Sequence, residues 1–333
     1  MQYLITGGAG FIGSHLADAL IARGDRVLIL DDLSTGNLEN LVDAVASGQA
    51  ELVEGSACDE KLVDECMERA DACFHLASAV GVKLIVEHSV KSLLSSVHCA
   101  QVVTEAAHRS GRRLLFASTS EIYGKNSSDA LSEHSDRVLG PPSVARWSYS
   151  TAKAFGEAVS LGYHREKGAD TVVARLFNTV GPRQSGAYGM VLPCFVGQAL
   201  AGEDLTVYGD GSQSRCFAHV DDTVQALMAL MDEEGARGRA FNVGRSSEIT
   251  ILELAQTVIE RTDSTSGVRM VPYEEAYGEG FEELGRRRPD TSALEQMTGW
   301  KPKRGVEEAI DDVAAFERMR AEPVAATDPS LDR

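Results

Sequence analysis

The stretch MQYLITGGAGFIGSHLADAL, residues 1–20, runs an apolar strand directly into three glycines, Gly7, Gly10 and Gly13, and then into a helical pattern. Gly7 permits a tight turn, Gly10 lets backbone come close to a pyrophosphate, and Gly13 allows helix and strand to pack closely. The amides freed where the helix starts, at Phe11 and Ile12, face a bound anion at the positive end of the helix dipole. The next apolar run, RVLIL, ends in Asp31, eighteen residues past Gly13. At that spacing a carboxylate takes both hydroxyls of an adenosine ribose, which favours NAD over its 2′-phosphorylated form. Leu76 and Ala77, closing the later run ACFHLA, are expected to join the same cofactor site.

Working outward, a chain of 333 residues suffices for one large domain or two modest ones. Its 43% hydrophobic and 25% charged residues are ordinary for a soluble globular protein. A net charge of −18 with no offsetting basic tract argues against a nucleic-acid partner, and Arg286, Arg287 and Arg288 must answer to something smaller. The six cysteines, at 58, 66, 73, 99, 194 and 216, form no CxxC pair and no ligand spacing with histidine. Neither a metal site nor a disulfide frame is expected, and reduced thiols in a cytoplasm are the reading. No apolar run approaches the ~20 residues of a membrane span. The entry into a strand at once leaves no room for a signal peptide, so a cytoplasmic location is expected.

Apolar runs alternate with helical periods through the first half: YLIT, a helix from about 13 to 23, RVLIL, AELVEG, ACFHLA and RRLLFAS. Helices are expected near 92–110 and from Tyr149 to about Lys167, with another buried strand at TVVARLF. This order predicts an α/β fold, a doubly wound parallel sheet with crossover helices on both faces. After Gly181 the elements shorten and glycine-rich turns appear, while FNVG at 241–244 reads as a return to the sheet. The expected division is a cofactor domain of residues 1–180 plus about 213–245, and a smaller interleaved α+β unit of about 181–212 plus 246–321. The polar stretch 322–333 is expected to be a disordered tail.

Tyr149 and Lys153, at i and i+4 in YSTAK, project from one helix face. A phenol titrates near 10, so a base active near neutrality needs roughly 4 kcal/mol of help. A nearby ammonium and a positive nicotinamide are expected to supply it. FASTSEIYG at 116–124 ends a strand in hydroxyls and a carboxylate at the level of that nicotinamide, and Thr119 there is placed to bond the substrate hydroxyl that Tyr149 deprotonates.

The ordered set GGAGFIG, FHLAS, STSEIYG, YSTAK, RLFNTVGPR, GDGSQSRCFAHVDD and RRRPDTSALEQMTGWKP resembles an extended short-chain dehydrogenase/reductase of the nucleotide-sugar epimerase, dehydratase and decarboxylase group. The resemblance covers almost the whole chain and implies a Rossmann cofactor domain. It also implies Tyr149 as base, Lys153 as its electrostatic partner and ribose ligand, and Thr119 as the second hydroxyl at the reacting carbon. Asn178 and Arg215 match positions that hold a sugar nucleotide's diphosphate, and Tyr208 lies near the nucleobase. Relatives of this type pair through the helices near 92–110 and 149–167, so a homodimer is expected. The chain departs from the group's pattern at Ser96–Ala100, where an asparagine and a Gly-Thr pair are usual, and at Ser56, where an adenine-side aspartate is common.

Members of the group first oxidise the sugar at C4. Ser120-Glu121 stands where dehydratases carry Asp-Glu, so dehydration is disfavoured. The segments SDRVLGPPSVARWSYSTAK and YGEGFEELGRRRP look like UDP-glucuronate decarboxylases and also like UDP-glucuronate 4-epimerases. Either reaction asks for a cation at the sugar carboxylate, with Arg183 and Arg287 as candidates and Ser120 and Glu121 beside the sugar. HLASAVGVKLIVEHSV and GPRQSGAYGMV fit epimerases better, so UDP-glucuronate 4-epimerization is the expected activity. Decarboxylation is the alternative and UDP-glucose 4-epimerization the second. A dinucleotide sensor without chemistry is disfavoured because Thr119, Tyr149 and Lys153 are all present.

Overall fold

Successive residues of a strand point to opposite faces, and in the opening strands both faces are apolar. In β1 (Gln2–Thr6), Tyr3 and Ile5 enter one buried cluster and Leu4 another; in β2 (Arg26–Asp31), Val27 and Ile29 separate from Leu28 and Leu30 in the same way. Such strands require cover on both sides, which parallel pairing with crossover helices provides.

The computed structural model describes residues 1–78, 89–272, 275 and 286–321. Its further strands are β3 (Ala50–Glu54), β4 (Ala72–His75), β5 (Arg113–Thr119), β6 (Thr171–Leu176), β7 (Thr179–Val180), β8 (Leu205–Tyr208), β9 (Ser214–Cys216), β10 (Ala218–His219), β11 (Arg239–Val243), β12 (Glu248–Thr250) and β13 (Val268–Val271). Seven of them make one parallel sheet in the order β11-β6-β5-β4-β1-β2-β3. The doubly wound architecture is the one expected, and FNVG does return to the sheet, in β11 beside β6.

Helix α1 (Phe11–Ala22) covers one face with the Val220–Asp232 helix, Leu294 and Trp300. α2 (Val42–Ala46) leads to the edge strand, while α3 (Glu60–Glu68) and α4 (Ser89–Arg109) cover the other face through Val63, Met67, Val102, Val103 and Ala106. α5 (Arg146–Lys167) packs beside α4 and closes against Phe116 of β5, where a Cβ at Gly156 would meet the Phe116 ring.

A second core gathers Leu192, Phe195, Leu205, Val207, Phe217, Leu254, Val258, Ile310 and Val313, from the segments between β7 and β10 and from residues 249–314. Residues 292–300 do not stay with it. Leu294 and Trp300 pack on the first core, and the Trp300 indole donates to the Asp222 carbonyl at 3.0 Å. The chain thus crosses between the cores more often than the expected boundary at 246–321 anticipates.

One expectation is corrected: Cys58 and Cys99 are joined in a disulfide. Cys58 lies in the turn before α3 and Cys99 on α4, and these helices pack together, so tertiary contact unites residues whose spacing gives no signal. Cys66, Cys73, Cys194 and Cys216 are thiols. The tail 322–333 and most of HLASAVGVKLIVEHSV and YGEGFEELG lie outside the described residues. No helix among the described residues is long and apolar enough to cross a membrane.

Candidate active site

Between β1 and α1, Gly7 has φ +74°, and a Cβ there would lie 2.7 Å from the Ala77 amide nitrogen, so only glycine admits the segment that follows β4. At Gly13 a Cβ would run into the Gly7 carbonyl oxygen and lie 2.7 Å from Gly8 Cα, which forces the close helix approach. Gly10 is the N-cap of α1 and supplies no side-chain cap, so the first-turn amides at Phe11 and Ile12 are left for an anion. Asp31 ends β2 and is buried; its carboxylate accepts from the Ala9 and Leu33 amides, each at 2.9 Å. Burial pushes its titration up against those two bonds. Leu76 and Ala77 are tied to Thr6, the first through its carbonyl at 3.0 Å and the second through its hydroxyl at 3.3 Å. This cradle fits a dinucleotide: backbone donors for a pyrophosphate, a carboxylate at the adjacent strand end, and no Cβ in the way.

Thr119 is the last residue of β5 and caps the short 3-10 turn Ser120–Tyr123, its hydroxyl accepting from the Glu121 amide at 3.2 Å. Tyr149, on the first turn of α5, hydrogen-bonds to the Thr119 side chain. One turn further, the buried Lys153 ammonium donates to the Ala117 carbonyl at 2.9 Å. Strand end and helix therefore bring Thr119, Tyr149 and Lys153 to one place, as their motifs imply.

Their electrostatics differ from the expectation. Burial, joined by the Glu121 carboxylate, pushes the Tyr149 phenol up, opposed only by the bond to Thr119. Burial also brings the Lys153 ammonium down to about 8, against the stabilising Glu157 carboxylate. The charge acting on the phenol is thus an anion, and the lowering expected from Lys153 alone is not what this arrangement produces. A cation beside Tyr149 is required to make it a base.

Glu121 is where the site meets residues from the later part of the chain. Burial disfavours its charge, but Arg287 and Arg146, with Arg215 beyond, hold the carboxyl below its usual range. Arg287 donates to it directly, and the Arg146 guanidinium lies 3.6 Å away. Arg287 is itself buried, and its Nε has no hydrogen-bond partner among the described residues. Arg146 escaped the sequence reading, although its place three residues before Tyr149 puts both on one helix face.

The remaining candidates are dispersed. Ser120 is buried in the turn beside Glu121. Asn178 donates to the Cys216 carbonyl at 3.2 Å, and Arg215 on β9 donates to the Ser214 carbonyl at 2.8 Å while its field reaches Glu121. Tyr208 closes β8, its carbonyl accepting from Gln213 at 3.1 Å. Arg183 does not form part of the Glu121 cluster. Its backbone is left-handed at φ +67°, and its guanidinium pairs with Asp18 of α1 at 2.7 Å, which makes it a turn residue clamped to the cofactor helix.

Comparison with known proteins agrees with this geometry. The sequence model of the NAD dependent epimerase/dehydratase family matches residues 3–244. A UDP-N-acetyl-alpha-D-glucosaminuronate decarboxylase of Bacillus cytotoxicus is 39% identical over 316 residues, covering 95% of this chain and 97% of that protein. UDP-glucuronic acid decarboxylase 2 of Arabidopsis thaliana is 36% identical over 303 residues, covering 91% of this chain and 65% of that longer protein. Among solved structures, UDP-glucose 4-epimerase of Thermotoga maritima, with UDP-glucose, superposes with a TM-score of 0.87 at 28% identity, covering 97% of this chain and 100% of that one. The dTDP-glucose 4,6-dehydratase of Streptomyces venezuelae, with NAD bound, gives 0.86 at 28% identity over 96% of this chain and 97% of the other.

Proposed function

The chain belongs to the NAD-dependent epimerase/dehydratase family, and from that premise we propose that it decarboxylates a UDP-hexuronate. The observation that carries this reading is the Glu121–Arg287 pair directly beyond Thr119 and Tyr149, with the buried Arg287 Nε left as a donor for a sugar carboxylate. Relatives at 39% and 36% identity named as decarboxylases support it over the epimerase expected from the sequence.

The residues that would hold NAD are Gly7, Gly10, Phe11, Ile12 and Gly13 at the pyrophosphate, Asp31 at the adenosine ribose, Leu76 and Ala77 beside it, and Lys153 at the nicotinamide ribose. Bound there, NAD would supply a hydride acceptor for the sugar C4 and the positive charge that Tyr149 lacks. Thr119 holds the C4 hydroxyl and Tyr149 removes its proton as hydride leaves, which makes C4 a ketone. That ketone is β to the C5 carboxylate. The bond between C5 and the carboxyl carbon then breaks, its electron pair passes into the C4–C5 enolate, and carbon dioxide departs. Glu121 relays the proton that C5 receives, and Arg287 holds the carboxylate until it leaves.

An epimerase shares the first step, and the fit to the Thermotoga epimerase keeps that as the second reading. The test is incubation of the protein with NAD and UDP-glucuronate, or with UDP-N-acetylglucosaminuronate, followed by mass spectrometry of the nucleotide sugars. Loss of carbon dioxide is expected. A product of unchanged mass eluting as the C4 epimer would replace decarboxylation by epimerization.

A further inference from the structure

The two halves of the site are carried by different parts of the chain. Tyr149 and Lys153 stand on α5 over β5, whereas Arg287 arrives on the segment 286–290. That segment is held at its exposed side by Arg286, paired with Glu248 and Asp129, and by Arg288 on the Asp129 carbonyl, and at its inner side by Leu131 and Asn242. Leu131 pairs with it, its amide donating to the Arg288 carbonyl at 2.8 Å and its carbonyl accepting from the Asp290 amide at 2.9 Å. The fully buried Asn242 amide of β11 donates to the carbonyls of Leu131 at 2.8 Å and Asp290 at 3.1 Å.

The acceptor side of that amide, Asn242 Oδ1, is held by a hydroxyl. Tyr123 donates to Asn242 Oδ1 at 2.6 Å and accepts from Arg175 at 2.9 Å. Arg175 in turn grips Glu157 in a bidentate pair, with contacts of 2.8 to 3.2 Å, and Glu157 lies one turn beyond Lys153 on the same helix face. Tyr123 also belongs to the 3-10 turn that begins at Ser120-Glu121. One side-chain oxygen therefore joins the turn bearing Glu121 to the amide that pins the Arg287 segment.

We propose that Tyr123 is a positioning residue for the carboxylate-handling step, holding Arg287 at Glu121 through Asn242, and that it leaves C4 oxidation to the separately anchored Tyr149 and Lys153. The reason lies in what its loss disconnects. Without the hydroxyl, Arg175 keeps both bonds to Glu157 and its bond to the Glu133 carbonyl at 2.9 Å, so the support of the catalytic helix persists. Asn242 Oδ1 instead becomes a buried acceptor without its donor, which weakens the amide's hold on the carbonyls of Leu131 and Asp290 and so on the Arg287 segment. This inference rests on the decarboxylase reading above.

The experiment compares wild-type protein with Tyr123→Phe, and with Asn242→Ala as a second removal of the same link. Reduced nicotinamide and carbon dioxide are followed together in rapid-mixing assays with a UDP-hexuronate, and thermal unfolding is recorded for each protein. The expected result is a carbon dioxide rate reduced about tenfold with the initial rate of nicotinamide reduction kept within about twofold, so that reduced cofactor accumulates during turnover. Equal loss of both rates in the two variants, or no loss in either, overturns the proposal, the former showing a role in general stability. A wild-type protein that reduces nicotinamide but releases no carbon dioxide from either UDP-hexuronate overturns the decarboxylase reading itself.

Discussion

The Arg287 guanidinium donates to the Glu121 carboxylate across 166 residues of chain, joining the end of β5 to a segment that lies between two stretches of the second core. Either side chain alone would be a buried charge at substantial desolvation cost. Together they form the end of the site that is proposed to handle a sugar carboxylate. Arg287→Met is expected to lower kcat/KM for a UDP-hexuronate by about a hundredfold, the effect of losing a buried charge-assisted partner of roughly 3 kcal/mol. Steady-state kinetics measure it, and unaltered kinetics would remove Arg287 from the site.

The role proposed for Tyr149 is different, its phenol meeting the substrate proton and not the carboxylate. Tyr149→Phe is expected to reduce turnover about a thousandfold while NAD binding stays close to that of the unaltered protein. Fluorescence titration with NAD together with a turnover assay separates the two effects.

The Lys153 ammonium is brought down to about 8 by burial, with Glu157 opposing. A cation whose titration is lowered is charged below that value and neutral above it, so its charge-assisted bonds to the Ala117 carbonyl and to a nicotinamide ribose weaken as pH rises through it. The kcat/KM profile, which reports the free protein, is expected to decline above about pH 8. Persistence of full activity to pH 10 would show that a neutral amine suffices.

Gly13→Ala is expected to cost about 2 kcal/mol of stability, because the added methyl overpacks against the Gly7 and Gly8 backbone. It should also weaken NAD binding at least tenfold by displacing the first-turn amides. Thermal unfolding and NAD titration provide the check, and a variant indistinguishable from wild type would show that the turn can open.

Val90 and Leu94 on α4 and Phe155 on α5 are exposed at 69%, 63% and 40%, on two helices that pack side by side. A second copy of the chain is proposed to cover them, giving a homodimer with a four-helix contact. Light scattering at micromolar concentration is expected to give twice the chain mass, and Phe155→Glu to give the single mass.

Much of this protein was legible in its sequence, because the informative signals are local. The glycine spacing at residues 7–13, the apolar strand runs and the i, i+4 pair Tyr149 and Lys153 depend on residues within one or two turns of each other, so periodicity alone determined the doubly wound sheet and the place of the catalytic helix. Only the tertiary structure decided that Arg287 serves Glu121 while Arg183 is bound to Asp18, and that Arg146 joins the same carboxylate. It likewise decided the pairing of Cys58 with Cys99 and the upward push on the Tyr149 phenol. Each of these turns on burial and on charges or sulfurs far apart in the chain, and the free energy of a charge depends on its surroundings in space and not on its neighbours in sequence.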